Sequence, residues 1–168
     1  MLSVQTIGSH IRRKLYLDPG KCVFGQQESQ VCTTILGSCI SVIFWHQRTR
    51  FFAICHYLAV GGGEQPNEAV ERFGRYGKSV LPHMLTLVQQ AGIAKSELQV
   101  MVVGGASSPN TTGLARQFQI AKRNIEFAHY FLKQHNLPIQ FEDTGGEIGR
   151  RVSFDCLTGQ LDVVLLSG

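Results

Sequence analysis

Residues 39–60 read "CISVIFWHQRTRFFAICHYLAV", and the fold turns on this stretch. Its opening, "CISVIFWHQ", is rich in β-branched and aromatic residues and reads as a buried strand. "HQRTR" is polar and short enough for a hairpin connection. "FFAICHYLAV" then reads as the returning strand. Pairing about "HQRTR" carries the far end of the second strand back beside the start of the first. That brings His56, 17 residues after Cys39, towards Cys39.

Upstream, "LDPGKCVFG" reads as a turn at Pro19-Gly20 leading into a short strand. Downstream, "GGGEQPNEA" reads as a loop. From about Val70 to Gln90 apolar residues recur at helical spacing, with Val80, Met84, Leu87 and Val88 on one face and Gly92 as the stop. "LQVMVVGGA" reads as a strand entering a glycine turn, and "SSPNTTGLARQ" as polar loop. "IAKRNIEFAHYFLKQH" is a second amphipathic helix with Ile125, Ala128, Phe131 and Leu132 on one face. "LPIQFEDTGG" is a strand, and "RRVSFDCLTGQLDVVLL" a closing hairpin turned at Thr158-Gly159. Six to eight strands and two main helices in mixed order predict an α+β fold with a mostly antiparallel or mixed sheet.

The chain has 168 residues, which predicts one domain able to bury a core unaided by disulfide or metal. With 16 basic and 12 acidic residues, scattered rather than striped, it is a poor match to a nucleic-acid binder. No apolar run approaches a membrane span, and the N-terminus lacks the charged and apolar blocks of a secretion signal, so a cytoplasmic protein without membrane insertion is expected. The five cysteines, Cys22, Cys32, Cys39, Cys55 and Cys156, are odd in number and contain no C-x-x-C, which favours free thiols. A zinc site from Cys32, Cys39, Cys55 and His56 is disfavoured, because adjacent strand residues point to opposite faces.

Two readings of Cys39 stand. It follows Gly37 and Ser38, so it is either a small core residue at a strand head or a nucleophile held at a turn whose free amides stabilise an oxyanion. In the second reading His56 takes the thiol proton. A cysteine–histidine pair usually has a third group that orients the ring. No Asp or Glu lies near either residue until Glu64, and the hydroxyl of Thr33, six residues before Cys39, is the candidate. "VVGGASS" and "DTGGEIGR" lack the lysine of a phosphate loop and the third glycine of a dinucleotide fingerprint, and read as tight turns.

"TTILGSC" followed by an apolar strand, the histidine 17 residues on, then "GGA", "KRN" and "DTGGEIGRRV" in order, resembles the CheD family of chemoreceptor glutamine deamidases. The similarity runs from about Leu17 to Leu166, leaving residues 1–16 as an N-terminal extension of a single domain spanning 1–168. The resemblance implies a layered α/β sandwich and a catalytic triad of Cys39, His56 and Thr33. Apart from the resemblance, Gly37 and Ser38 are expected to hold the turn, with the amides around Gly37, Ser38 and Cys39 as the expected oxyanion donors. No metal or organic cofactor is implied. The implied substrates are glutamine side chains on the cytoplasmic helical domain of methyl-accepting chemoreceptors, with glutamyl methyl esters as a related substrate and a CheC-type phosphatase as a partner. Two other classes remain: a non-catalytic adaptor docking on receptors or on such a phosphatase, and an amidase of small amides.

Overall fold

The computed structural model describes residues 3–7, 10–61, 70–108 and 113–167. Ten strands occur among them: β1 (Ser3–Ile7), β2 (His10–Tyr16), β3 (Cys22–Gln26), β4 (Gln30–Leu36), β5 (Ile40–His46), β6 (Phe51–Cys55), β7 (Gln99–Gly104), β8 (Phe141–Thr144), β9 (Arg150–Asp155) and β10 (Leu161–Leu165). Two α-helices accompany them, α1 (Gly77–Gln90) and α2 (Leu114–Gln134). The "GGGEQPNEA" loop after Gly61 and the middle of "SSPNTTGLARQ" lie outside the described residues.

The strands form two five-stranded sheets, ordered β1-β2-β4-β9-β10 and β3-β6-β5-β7-β8. β2–β4 and β7–β8 pair parallel and the remaining neighbours antiparallel, so the expected mixed α+β architecture is what the chain adopts. The hairpin read from "CISVIFWHQRTRFFAICHY" is the β5–β6 pair at the centre of the second sheet, with Phe44 opposite Ala53 and His46 opposite Phe51.

Every residue of β5 and β6 is buried, and alternation sends the side chains to two different cores. Ile40, Val42, Phe44, Phe51, Ala53 and Cys55 pack with Val80, Leu81 and Met84 of α1 and Ala128 and Leu132 of α2. Ile43, Trp45, Phe52 and Ile54 pack with Cys32 and Leu36 of β4 and Val152 and Phe154 of β9. The layers are therefore helices, sheet, sheet. A strand covered on both faces has no reason to alternate polar and apolar residues, which is why this hairpin reads as continuous apolar sequence.

Within the stretch set apart as an extension on the sequence, Ser3–Ile7 and His10–Tyr16 belong to the first sheet as β1 and β2. The strand "HIRRKLY" is disguised by its charges, one of which is structural. Arg12 is buried, and its Nε donates to Asp155 Oδ2 at 3.1 Å. Asp155 Oδ1 in turn accepts the amides of Leu157 and Thr158, shaping the Thr158-Gly159 turn that the sequence announces.

Candidate active site

Cys39 sits on the bend between β4 and β5 and is half-buried. Two other segments, the Gly105-Ala106 turn and α2, hold the carbonyls of its turn. Gly37 O accepts from Ala106 N at 2.8 Å, Cys39 O from Gly105 N at 2.9 Å, and Ser38 O from Asn124 Nδ2 at 2.9 Å. Gly104 has φ +119°, and any side chain there would collide with the Cys39 carbonyl, so this position requires glycine. The second glycine block leans on the first. Gly145 N donates to Gly104 O and Ser107 N to Gly146 O, each at 2.9 Å. The buried Arg150 guanidinium joins Gly104 O, Gly145 O and Asp143. The motifs read as tight turns are tight turns, and together they frame the cysteine.

His56 lies just past β6 and is almost wholly buried. Its amide donates to Lys21 O and its carbonyl accepts from Gly20 N, so the Pro19-Gly20 turn holds its backbone. The register that sets Ile43 against Ile54 continues to the Ile40–Tyr57 bridge, placing Ser41 opposite His56 and Cys39 opposite Leu58. Cys39 and His56 are thus diagonal neighbours on the face that meets the first sheet. Cys55 projects to the helix side of the same sheet and cannot join them. No group of three or more metal-ligating side chains occurs among the described residues.

The ring of His56 is held by Thr34. Its Nδ1 lies 2.7 Å from Thr34 Oγ1, and Thr34 Oγ1 donates to Leu17 O, also at 2.7 Å. A hydroxyl has one proton. That proton goes to Leu17 O, so Thr34 Oγ1 accepts from Nδ1–H, and Nε2 is left as the bare, basic nitrogen. Nε2 is buried and has no hydrogen-bond partner among the described residues, so the Cys39 thiol does not yet bond to it in this resting form. Catalytic hydrogen bonds are often open before substrate binds.

Thr33, the orienting residue expected from the sequence, faces away from His56. Its Oγ1 pairs with Ser153 Oγ at 3.3 Å on the opposite side of β4. The reason is strand alternation: Cys32 and Leu36 point into the inter-sheet core, so Thr34 between them does too, and Thr33 cannot. The adjacent pair of threonines hides this in the sequence, because only the inward facing of Cys32 and Leu36 tells which hydroxyl turns towards His56.

Burial sets the protonation states. It pushes the Cys39 thiol up to about 11, with the Ser38 side chain pulling back. It lowers His56 to about 4, against smaller opposing contributions from Leu17 and Asp18. At neutral pH the site holds a thiol and a neutral imidazole. Four other histidines are engaged elsewhere: His46 with Thr49 and Glu97, His129 with Glu142, His83 against Phe73, and His135 against Phe131.

The chain matches the family model "CheD chemotactic sensory transduction" over residues 61–164. It is 34% identical to a probable chemoreceptor glutamine deamidase CheD of Trichlorobacter lovleyi, covering 95% of this chain and 92% of that one. It is 34% identical to a CheD 2 of Geobacter sulfurreducens over 88% of this chain and 86% of that one. A CheD 3 of Dechloromonas aromatica is 31% identical over 88% and 85% respectively. Among solved structures, a protein of Neisseria meningitidis with 11% identity covers 92% of this chain and 75% of its own, with a TM-score of 0.44, too remote a likeness to bear on the site. The geometry of the cysteine turn and the length of these matches agree, and the chain belongs to the CheD family.

Proposed function

We propose that the chain is a protein-glutamine deamidase that converts glutamine side chains of methyl-accepting chemoreceptors to glutamate with release of ammonia. The observation that carries this reading is the buried, partnerless Nε2 of His56, left unprotonated by the Thr34 hydrogen bond at Nδ1 and set on the same sheet face as Cys39. The relatives named probable chemoreceptor glutamine deamidases support the substrate class.

The chemistry follows from two neutral groups. As Cys39 Sγ attacks the carboxamide carbon, its proton moves to His56 Nε2. The C–S bond forms, and the carbonyl electron pair becomes an oxyanion beside the Gly37–Cys39 turn, where each well-aimed amide supplies roughly 3 kcal/mol. His56 returns the proton to the departing nitrogen, ammonia leaves, and a thioester remains. Water, deprotonated at Nε2, hydrolyses the thioester to glutamate and regenerates the thiol. Thr34 keeps the ring from flipping throughout, so proton acceptance stays at Nε2. The same steps with a methyl ester release methanol.

No helix among the described residues is long and apolar enough to cross a membrane. The enzyme of this reading meets the cytoplasmic helical domain of the receptor. A CheC-type phosphatase is a further partner implied by the family, tested by co-purification. The activity is tested on a receptor cytoplasmic fragment: ammonia release matched by a mass increase of about one dalton at a single glutamine, abolished in Cys39→Ala. Full activity in Cys39→Ala overturns the reading.

A further inference from the structure

Asn124, in the "KRN" block, has no role in the steps above, yet it is wholly buried on α2 beside the cysteine turn. Its Nδ2 donates at 2.9 Å to Ser38 O and at 2.9 Å to Leu58 O. Two carbonyl acceptors fix the amide's orientation. Ser38 immediately precedes Cys39, and Leu58 is two residues beyond His56. The last backbone link between these segments is the Ile40–Tyr57 pair, with Ile40 N to Tyr57 O at 3.1 Å and Tyr57 N to Ile40 O at 2.9 Å. Past it the ladder ends, and the Asn124 amide bridges the two strands in its place. Tyr57 Oη anchors the helix end of this bridge by donating to the Asn124 carbonyl at 2.5 Å.

Two details separate this arrangement from ordinary core packing. Asn124 Oδ1 is buried without a partner among the described residues, an unfavourable state that a residue serving stability alone would avoid. The peptide planes supply the second. There are no cis peptide bonds, so the Cys39 N–H points opposite to the Ser38 carbonyl. With Ser38 O drawn towards α2 by Asn124, the Cys39 N–H is turned away from α2. It makes no hydrogen bond among the described residues.

We propose that Asn124 is a positioning residue that fixes the Ser38–Cys39 peptide so that the Cys39 N–H is aimed as the oxyanion donor and Cys39 stays opposite the His56 segment. The proposal rests on the reading of Cys39 and His56 as nucleophile and base. It narrows the amides expected around Gly37, Ser38 and Cys39 to the nucleophile's own.

The test compares wild type, Asn124→Asp, Asn124→Ser and, as a stability control far from the site, Asp155→Asn. Each is assayed for ammonia release from a receptor cytoplasmic fragment, with melting temperature followed in parallel. Asn124→Asp keeps the side-chain shape but presents oxygens to both carbonyls, and its kcat falls about 100-fold with KM within about threefold. Asn124→Ser falls by a similar factor. Asp155→Asn melts lower and keeps its kcat, separating instability from misalignment. On wild-type protein, amide hydrogen exchange at Cys39 is expected to be at least tenfold faster than at Ile40 and Tyr57, whose amides are bonded. Asn124 variants with kcat within threefold of wild type, or a Cys39 amide as protected as Ile40, overturn the proposal. Should the Asn124 variants not fold, the exchange measurement decides alone. An active Cys39→Ala protein, or a wild type that releases no ammonia, overturns the underlying reading instead.

Discussion

Thr34 Oγ1 accepts a hydrogen bond from His56 Nδ1 at 2.7 Å while giving its own proton to the Leu17 carbonyl. A threonine here does the work usually given to a carboxylate, selecting the tautomer without adding charge. The imidazole therefore stays a weak, neutral base in a buried place, and the consequences can be measured.

Thr34→Val removes the acceptor for Nδ1–H while keeping the shape of the side chain. The ring is then free to place its proton on Nε2, where it cannot act as base, and kcat for ammonia release is expected to fall roughly tenfold to a hundredfold. Thr34→Ser restores the hydroxyl and most of the rate. Thr33→Val loses only the contact with Ser153 and stays within about twofold of wild type. A Thr33→Val defect larger than that of Thr34→Val assigns the orienting role back to Thr33.

The protonation states give a distinctive pH profile. His56 must be neutral to act, so kcat/KM rises as pH increases through about 4 and then stays flat. Cys39, raised to about 11, is a thiol across that plateau. Its alkylation by iodoacetamide should therefore climb about tenfold per pH unit from 7 towards 11, because only the thiolate reacts. A resting thiolate–imidazolium pair would instead give alkylation independent of pH above the acid limb, so a flat alkylation profile refutes the neutral pair.

Stability carries the same signature. The folded His56 value, about 4, lies below the ordinary 6.5, so between these values the unfolded chain binds a proton that the folded chain excludes. The stability held by neutral His56 is complete above about 6.5 and is lost as pH falls towards 4, a change of about 3 kcal/mol. Urea unfolding at the two ends of this window measures it. His56→Gln, which cannot protonate, removes the difference while leaving the acid response of the carboxylates.

The sequence exposes some of this architecture and conceals the rest for physical reasons. The β5–β6 hairpin is legible because burial on both faces makes it uninterrupted apolar sequence, and the spacing of Cys39 and His56 then follows from pairing. The glycine turns are legible because left-handed backbone needs glycine. The orienting threonine is not legible from the motif, since "TT" offers two hydroxyls and only the facing of Cys32 and Leu36 tells which one turns inward. Asn124 is hidden for a different reason: its partners, Ser38 and Leu58, are 86 and 66 residues away, and an amphipathic helix pattern does not show a polar residue recruited into the buried face. β2 is concealed by its own charges, because a buried arginine looks like a solvated one until Asp155, 143 residues on, is seen beside it.

The N-terminal strands give the last test. A chain beginning at Leu17 would lack β1 and β2, open the edge of β4 to solvent, and leave Asp155 without the Arg12 guanidinium. Removing one partner of a buried ion pair costs about 3–5 kcal/mol, before any loss from the missing strand pairing. This truncation is expected to be unfolded or to unfold at markedly lower urea, whereas a dispensable extension would leave the midpoint unchanged. Arg12→Met in the full chain isolates the ion pair. It keeps an apolar stem against the sheet and should lose a large part of the same stability, while Arg12→Met combined with Asp155→Asn, which leaves no buried charge and keeps the acceptor for the Leu157 and Thr158 amides, should recover much of it. Equal midpoints for wild type and the truncated chain would show that the first sheet is complete with β4, β9 and β10 alone.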